Sequence, residues 1–183
     1  MLRLGNEVLF ELVDGKLVEK KSTFLDNLCC GYVIAALAQF AHESKAGVVL
    51  PGQTLQCFPS EHNRVRLPDI TFILSDTIRV DEADDGHLRI VPSCVVEIIS
   101  PLDTVAEVDG TLADYKSARI PLIWVVNPKA RHIRVHRPGK PIDELHDGDT
   151  LSGDAILPGF AVNVTDLLPA LAKPAPAVPQ GEA

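Results

Sequence analysis

No two cysteines stand in the CxxC spacing that a zinc site needs. The four lie at Cys29, Cys30, Cys57 and Cys94, and the adjacent pair points to different sides of any helix. They are expected as small apolar core residues in a reducing compartment. An uninterrupted run of about 18 apolar residues is also missing. The opening MLRLGNEVLF has neither an apolar h-region nor a cleavage pattern, so the expectation is a cytoplasmic protein without a membrane partner. There is no GxxxxGKS/T phosphate loop, no GxGxxG and no GxSxG, which removes support for nucleoside-triphosphatase, Rossmann and serine-hydrolase readings. Positive charge is in deficit: the formal net charge is -8 and the pI about 5.2. Such a chain does not coat nucleic acid by bulk electrostatics, although an enzyme that gathers carboxylates around a cation remains compatible with it. No internal repeat is visible, and neither a zinc module nor a base-contacting helix announces sequence specificity.

What is present fits one soluble domain. The 183 residues are enough for a real core but too few for two domains, and 46% hydrophobic with 23% charged residues is a globular composition. Residues 8–13 and 16–19 are β-favouring runs separated by Asp14-Gly15, a pair that tolerates the positive φ angles of a tight hairpin turn. Over residues 22–44 apolar side chains recur at three-and-four spacing, predicting a helix capped by Ser22 or Thr23 and followed by Gly47. Two β-rich stretches, 48–58 and 66–74, are expected on either side of a polar segment, with a loop at 81–86. Residues 94–99 form an almost wholly apolar run, as in a strand covered on both faces. A helix over 103–118, a buried strand over 121–126, an outer strand over 131–137 and a small helix at 164–168 complete the pattern. The domain is expected to span 1–168, with 169–183 a disordered Pro/Ala-rich tail.

Two carboxylates stand in apolar strands: Asp69 in LPDITF and Glu97 in VVEII. An ionised carboxylate there is costly unless a cation pairs with it. If the strands are neighbours, both can reach one ion, with a carbonyl of Ile98 or Ile99 as a further ligand. Oxygen donors of this kind favour Mg²⁺ or Mn²⁺ over zinc. The alternative is that each caps a strand end or pairs with an arginine. His132 and His136, four apart on an alternating strand, would lie roughly 13 Å from each other and cannot share a metal. His42, Glu43 and Lys45 are expected to be solvated at a helix end, and Trp124 to be core.

The order FELVDGKLV, helix, LPDITFI, CVVEIISP, helix ending in Asp114-Tyr115, IWVVNP and ILPGF resembles the Uma family of "putative restriction endonucleases", a bacterial group assigned to the PD-(D/E)XK nuclease superfamily. The similarity covers about residues 5–168. It implies an α/β fold with a restriction-endonuclease-like core: a mixed central β-sheet flanked by helices, with an N-terminal β-hairpin. It further implies an endonuclease that hydrolyses DNA phosphodiester bonds, with Asp69 and Glu97 as metal-binding pair and Glu11 completing the acidic cluster. Hairpin alternation leaves Glu11 a second reading, as a solvated strand residue. The superfamily also places a lysine beside the metal. Two residues after Glu97 stands Ile99, and at the family's alternative position, four before Tyr115, stands Thr111. Lys116, five residues further on, lies roughly 140° round the helix and faces elsewhere. A slow enzyme and a catalytically silent domain that binds nucleic acid or a protein are both compatible with that departure. A two-fold homodimer would suit double-strand cleavage.

Overall fold

The computed structural model describes residues 9–58, 63–78 and 86–170. Position 8, most of the expected polar segment and loop (59–62 and 81–85), and the tail from 171 onward lie outside the described residues. At the boundary of the expected tail, Pro169 is buried and its carbonyl accepts a hydrogen bond from Arg131 at 2.8 Å.

The chain opens with the hairpin, β1 (Phe10–Val13) and β2 (Lys16–Glu19). Asp14 and Gly15 both have positive φ, 51° and 75°, as a primed two-residue turn requires. Helix α1 (Phe24–Ser44) starts in a capping box, in which Thr23 N–H donates to Asp26 at 2.7 Å and Asp26 N–H donates back to Thr23 at 3.4 Å. By length and composition α1 is apolar enough to cross a membrane; here Cys29, Val33 and Leu37 are buried in the core. Its C-cap is Lys45 in the left-handed region, not Gly47. Gly47 opens β3 (Gly47–Pro51), where an added Cβ would stand 2.1 Å from the Ile73 carbonyl oxygen. That glycine answers a close strand approach, not a helix end.

The central sheet follows the order β3, β4 (Ile70–Leu74), β5 (Cys94–Ile98), β6 (Leu122–Asn127), β7 (His132–His136), β8 (Asp143–His146). Only β5 and β6 are parallel, joined through α2 (Val105–Ser117), so a βαβ unit sits inside an otherwise antiparallel sheet. Two expectations shift. The β-rich stretch 48–58 forms a strand only to Pro51, because Gly52 turns the chain with φ 57°. In the stretch 66–74 the strand β4 begins only at Ile70, and Arg66 makes an isolated bridge to Leu55 instead. The outer strand β8 has no counterpart among the expected elements, since Asp143-Glu144-Leu145-His146 offers only one apolar residue, although the turn pairs Pro138-Gly139 and Asp147-Gly148 flank it. The small pair β9 (Thr150–Ser152) and β10 (Ala161–Asn163) precedes α3 (Val164–Leu167).

Strand alternation divides the core into two layers. Cys94, Val96, Trp124, Ile133 and Val135 pack with α1, α3 and Phe160. Val95, Ile123 and Val125 face the other way and pack under Tyr115, Ala118 and Ile120. Trp124 is fully buried, with its ring 5.3 Å from that of Phe160. Glu97, two residues after Val95, therefore emerges on the α2 side of the sheet.

Candidate active site

Four elements meet on that side. The register of the hairpin sets Glu11 opposite Val18, and the ladder continues past β2, where Lys20 N–H donates to the Leu9 carbonyl at 2.9 Å. Lys20 is thus two residues beyond Val18 and on the same face as Glu11. The hairpin docks on the chain leading into β4 through two bonds between Leu12 and Val65, both 2.9 Å.

Asp69 immediately precedes β4, and β4 runs beside β5. Its Oδ2 accepts from the Ile98 N–H at 2.7 Å, so the carboxylate extends the strand pairing where backbone pairing ends. One oxygen of Glu97, Oε1, accepts from the hydroxyl of Tyr115 on α2. Each carboxylate therefore has one oxygen held by the fold and one left over. The two remaining oxygens face the same point, and Lys20 Nζ occupies it: 3.1 Å from Asp69 Oδ1, 2.9 Å from Glu97 Oε2 and 2.7 Å from the Leu67 carbonyl oxygen. An ammonium has three protons and here finds three acceptors.

Burial raises the pKa of Glu97 strongly and Asp69 adds to the rise, while Lys20 and Tyr115 oppose it. Burial works against the Lys20 ammonium, but Glu97 and Asp69 outweigh it and hold its pKa above the ordinary lysine value. The Tyr115 phenol is pushed well up by burial and by the adjacent Glu97, so it stays protonated and remains a donor.

Glu11 belongs to a neighbouring cluster. Its Oε2 accepts from Arg66 at 2.7 Å and its Oε1 from the Leu67 N–H at 2.7 Å. Arg66 also donates to Asp114 on α2 at 2.6 Å, and Asp114 pairs with Arg64 as well. The structure thus brings Asp69 and Glu97 together and places Glu11 beside them, bound to its own arginine. Arg66 ties the hairpin to α2, and these two elements carry Lys20 and Tyr115.

A cleft of about 310 Å³ opens between the hairpin and α2, with Glu11, Lys20, Arg66, Glu97 and Thr111 among its walls. Asp69 is not part of the wall and is reached past Lys20. Lys116 lines a different cavity, as expected from its angle round α2. Ile99 packs against the core layer beneath α2. Lys20 was missed by reasoning from the sequence, because Lys20-Lys21 after a strand reads as a solvated end. Its signal was the Asp14-Gly15 turn: once the turn sets the register, an inward Glu11 forces an inward Lys20.

Two carboxylate oxygens and a carbonyl oxygen suit a hard divalent cation. Among the described residues no group of three His, Cys, Asp or Glu side chains could hold a metal, so the third protein ligand would be a backbone oxygen. The donor set fits Mg²⁺ or Mn²⁺, provided that Lys20 yields its place.

The structure is similar to one described as a putative nuclease belonging to DUF820 from Anabaena variabilis, with TM-score 0.75 and 13% identity over 88% of this chain and 90% of that one. At that identity the likeness speaks for the fold alone: a nuclease-like α/β architecture. No match is found among curated proteins. A family model described as "Putative restriction endonuclease" matches residues 1–165, and the chain belongs to that family, the Uma family.

Proposed function

We propose that this protein is a Mg²⁺- or Mn²⁺-dependent endonuclease that hydrolyses DNA phosphodiester bonds. The observation that carries the reading is the convergence of Asp69 Oδ1 and Glu97 Oε2 on one cation position from two neighbouring strands. Asp69 and Glu97 would hold the ion, with the Leu67 carbonyl as a third ligand, while the Ile98 N–H and the Tyr115 hydroxyl fix their outer oxygens. A divalent cation held there would supply Lewis acidity, lowering the pKa of a bound water and polarising a phosphate oxygen. Lys20, which such an ion would displace from the carboxylates, would remain on the hairpin wall and keep an ammonium in the cleft. There it pairs with a phosphate oxygen and orients water, the work that Thr111 and Ile99 cannot do. Glu11 acts at one remove, by locking Arg66 and the hairpin in place.

One observation favours a second reading. Lys20 satisfies both acids without any metal, so a silent domain that binds nucleic acid without turnover would retain the same contacts.

Nicking of supercoiled plasmid separates the two. An endonuclease cuts with added Mg²⁺ or Mn²⁺ and loses the activity in Asp69→Ala and Glu97→Ala; the silent domain retains DNA without product. Equal cutting by wild type and both variants identifies a contaminant.

A further inference from the structure

Apolar side chains face the acidic cleft without filling it. Val13 and Val18 stand on the hairpin wall, Val108 and Leu112 on the α2 wall and Ile99 on the floor, and each is half-buried. Val13, Val18 and Val108 belong to neither layer of the core, so the packing of the sheet does not account for them. Val125, also on the floor, is the register partner of Glu97 on β6, and Ile99 follows Glu97 by two residues on the same face. The apolar walls therefore begin next to the point where Asp69 and Glu97 converge.

The α2 wall carries a second irregularity. Gly110 lies in the interior of the helix and borders the cleft, where a glycine weakens the helix relative to alanine. Its own surroundings do not demand it: an added Cβ would meet only Nη2 of Arg66, at 3.9 Å, an ordinary contact. What the missing side chain leaves is width between the walls.

Charge in the cleft is arranged for one phosphate and not for a row. Carboxylates outnumber cations in the lining, five to three. Arg66 is held by Glu11 and Asp114, and Lys21 reaches Glu107 at 3.5 Å. A duplex is gripped through many phosphates, which these acids repel everywhere but at the cation position. The volume of about 310 Å³ is near the lower end of ligand pockets, roughly 300–1,000 Å³. That space takes one nucleotide, not the width of a duplex.

We propose that the cleft receives an unpaired nucleobase adjoining the scissile phosphate, so that the substrate is single-stranded DNA. The inference rests on the nuclease reading for the phosphate and adds the base. A base presents its apolar face to side chains only when it is out of the duplex stack. Val13 and Val18 pack on one side of the ring and Val108 and Leu112 on the other, and the gap at Gly110 admits it.

The test is fluorescence anisotropy of the full chain in Ca²⁺, an ion that takes oxygen ligands. The probes are a labelled oligothymidylate, an abasic strand of the same length and a duplex of that length. The expected result is at least tenfold tighter binding of the oligothymidylate than of either other probe, lowered at least tenfold in Gly110→Leu. Val108→Gln, a change outside the core, should weaken the oligothymidylate at least threefold. Both variants should keep the Mn²⁺ affinity of wild type, which a general loss of structure would not leave. No binding of the oligothymidylate, equal affinity for the three probes, or unchanged affinity in both variants overturns the proposal. Base-dependent binding without Mn²⁺-dependent cutting of the same strand sinks the nuclease reading alone. Mn²⁺-dependent cutting of duplex and single strand at equal rates, with equal affinities, sinks this inference alone.

Discussion

The ammonium of Lys20 lies 2.9 Å from Oε2 of Glu97, although the two residues are 77 positions apart in the chain. With Asp69 at 3.1 Å, the contact places a protein cation where two buried carboxylates need one. Metal binding and Lys20 are therefore competitors for the same oxygens, which gives the substitutions below their direction.

Above about pH 8, where Glu97 is ionised, Lys20→Met leaves two largely buried acids without a counter-ion. Breaking a buried pair from one side costs about 3–5 kcal/mol. Because the side chains of Lys20 and Glu97 remain 17% and 14% exposed, the expected loss is near the low end, about 3 kcal/mol. In a chain of this size that lowers Tm by roughly 6–12 °C. Mn²⁺ should stabilise the variant more than the wild type, because no ammonium competes with it. Thermal unfolding with and without Mn²⁺ checks both statements; a variant that gains no more than wild type contradicts the competition.

The same variant should lose metal-dependent nicking while keeping metal uptake. Thr111 lines the same cleft, so Lys20→Met/Thr111→Lys returns an amine from the α2 side. The expected outcome is partial recovery of the nicking rate over Lys20→Met. A double variant as inactive as the single one would show that the amine must come from the hairpin.

Glu97 dictates a pH dependence. Burial raises its pKa from 4.5 to about 8 in the folded, metal-free protein. Between those values the folded state keeps a proton that the unfolded state has lost. The contribution to stability is complete below the unfolded value and disappears as pH climbs through about 8. Denaturation between pH 5 and 9 should therefore show wild type losing stability relative to Glu97→Gln as pH rises. Metal affinity runs the other way, since the ligand is the carboxylate, and should increase towards pH 8 before levelling off.

Arg66 lies buried between Glu11 and Asp114. Arg66→Met should destabilise the fold by about 3–5 kcal/mol by leaving the Glu11 carboxylate with only the Leu67 N–H and Asp114 with Arg64 alone. Arg66→Lys should recover only part of it, because an ammonium cannot reproduce the guanidinium fork that spans two carboxylates. Equilibrium denaturation of the two variants measures the difference.

The elements legible in the sequence were those with strong local signals. Asp14-Gly15 marked the hairpin, the spacing from Leu25 to Phe40 marked α1, and the almost wholly apolar runs around Val96 and Trp124 marked the two central strands. Features decided by tertiary packing were not legible. Lys45 rather than Gly47 closes α1, because Gly47 is required by the approach of Ile73, and β8 forms by pairing with β7 despite its polar sequence. At the site, Asp69 and Glu97 stood out because a carboxylate in an apolar strand is conspicuous anywhere. Arg66 and Lys20 did not, since a basic residue beside a loop or strand end is ordinary until the fold brings it to an acid.

Calorimetric titration of Mn²⁺ into the wild-type chain, Asp69→Asn and Glu97→Gln tests the shared cation position most directly. One saturable site in wild type, lost in either variant, is the predicted result. No binding by wild type, or binding of equal affinity by all three proteins, would contradict it.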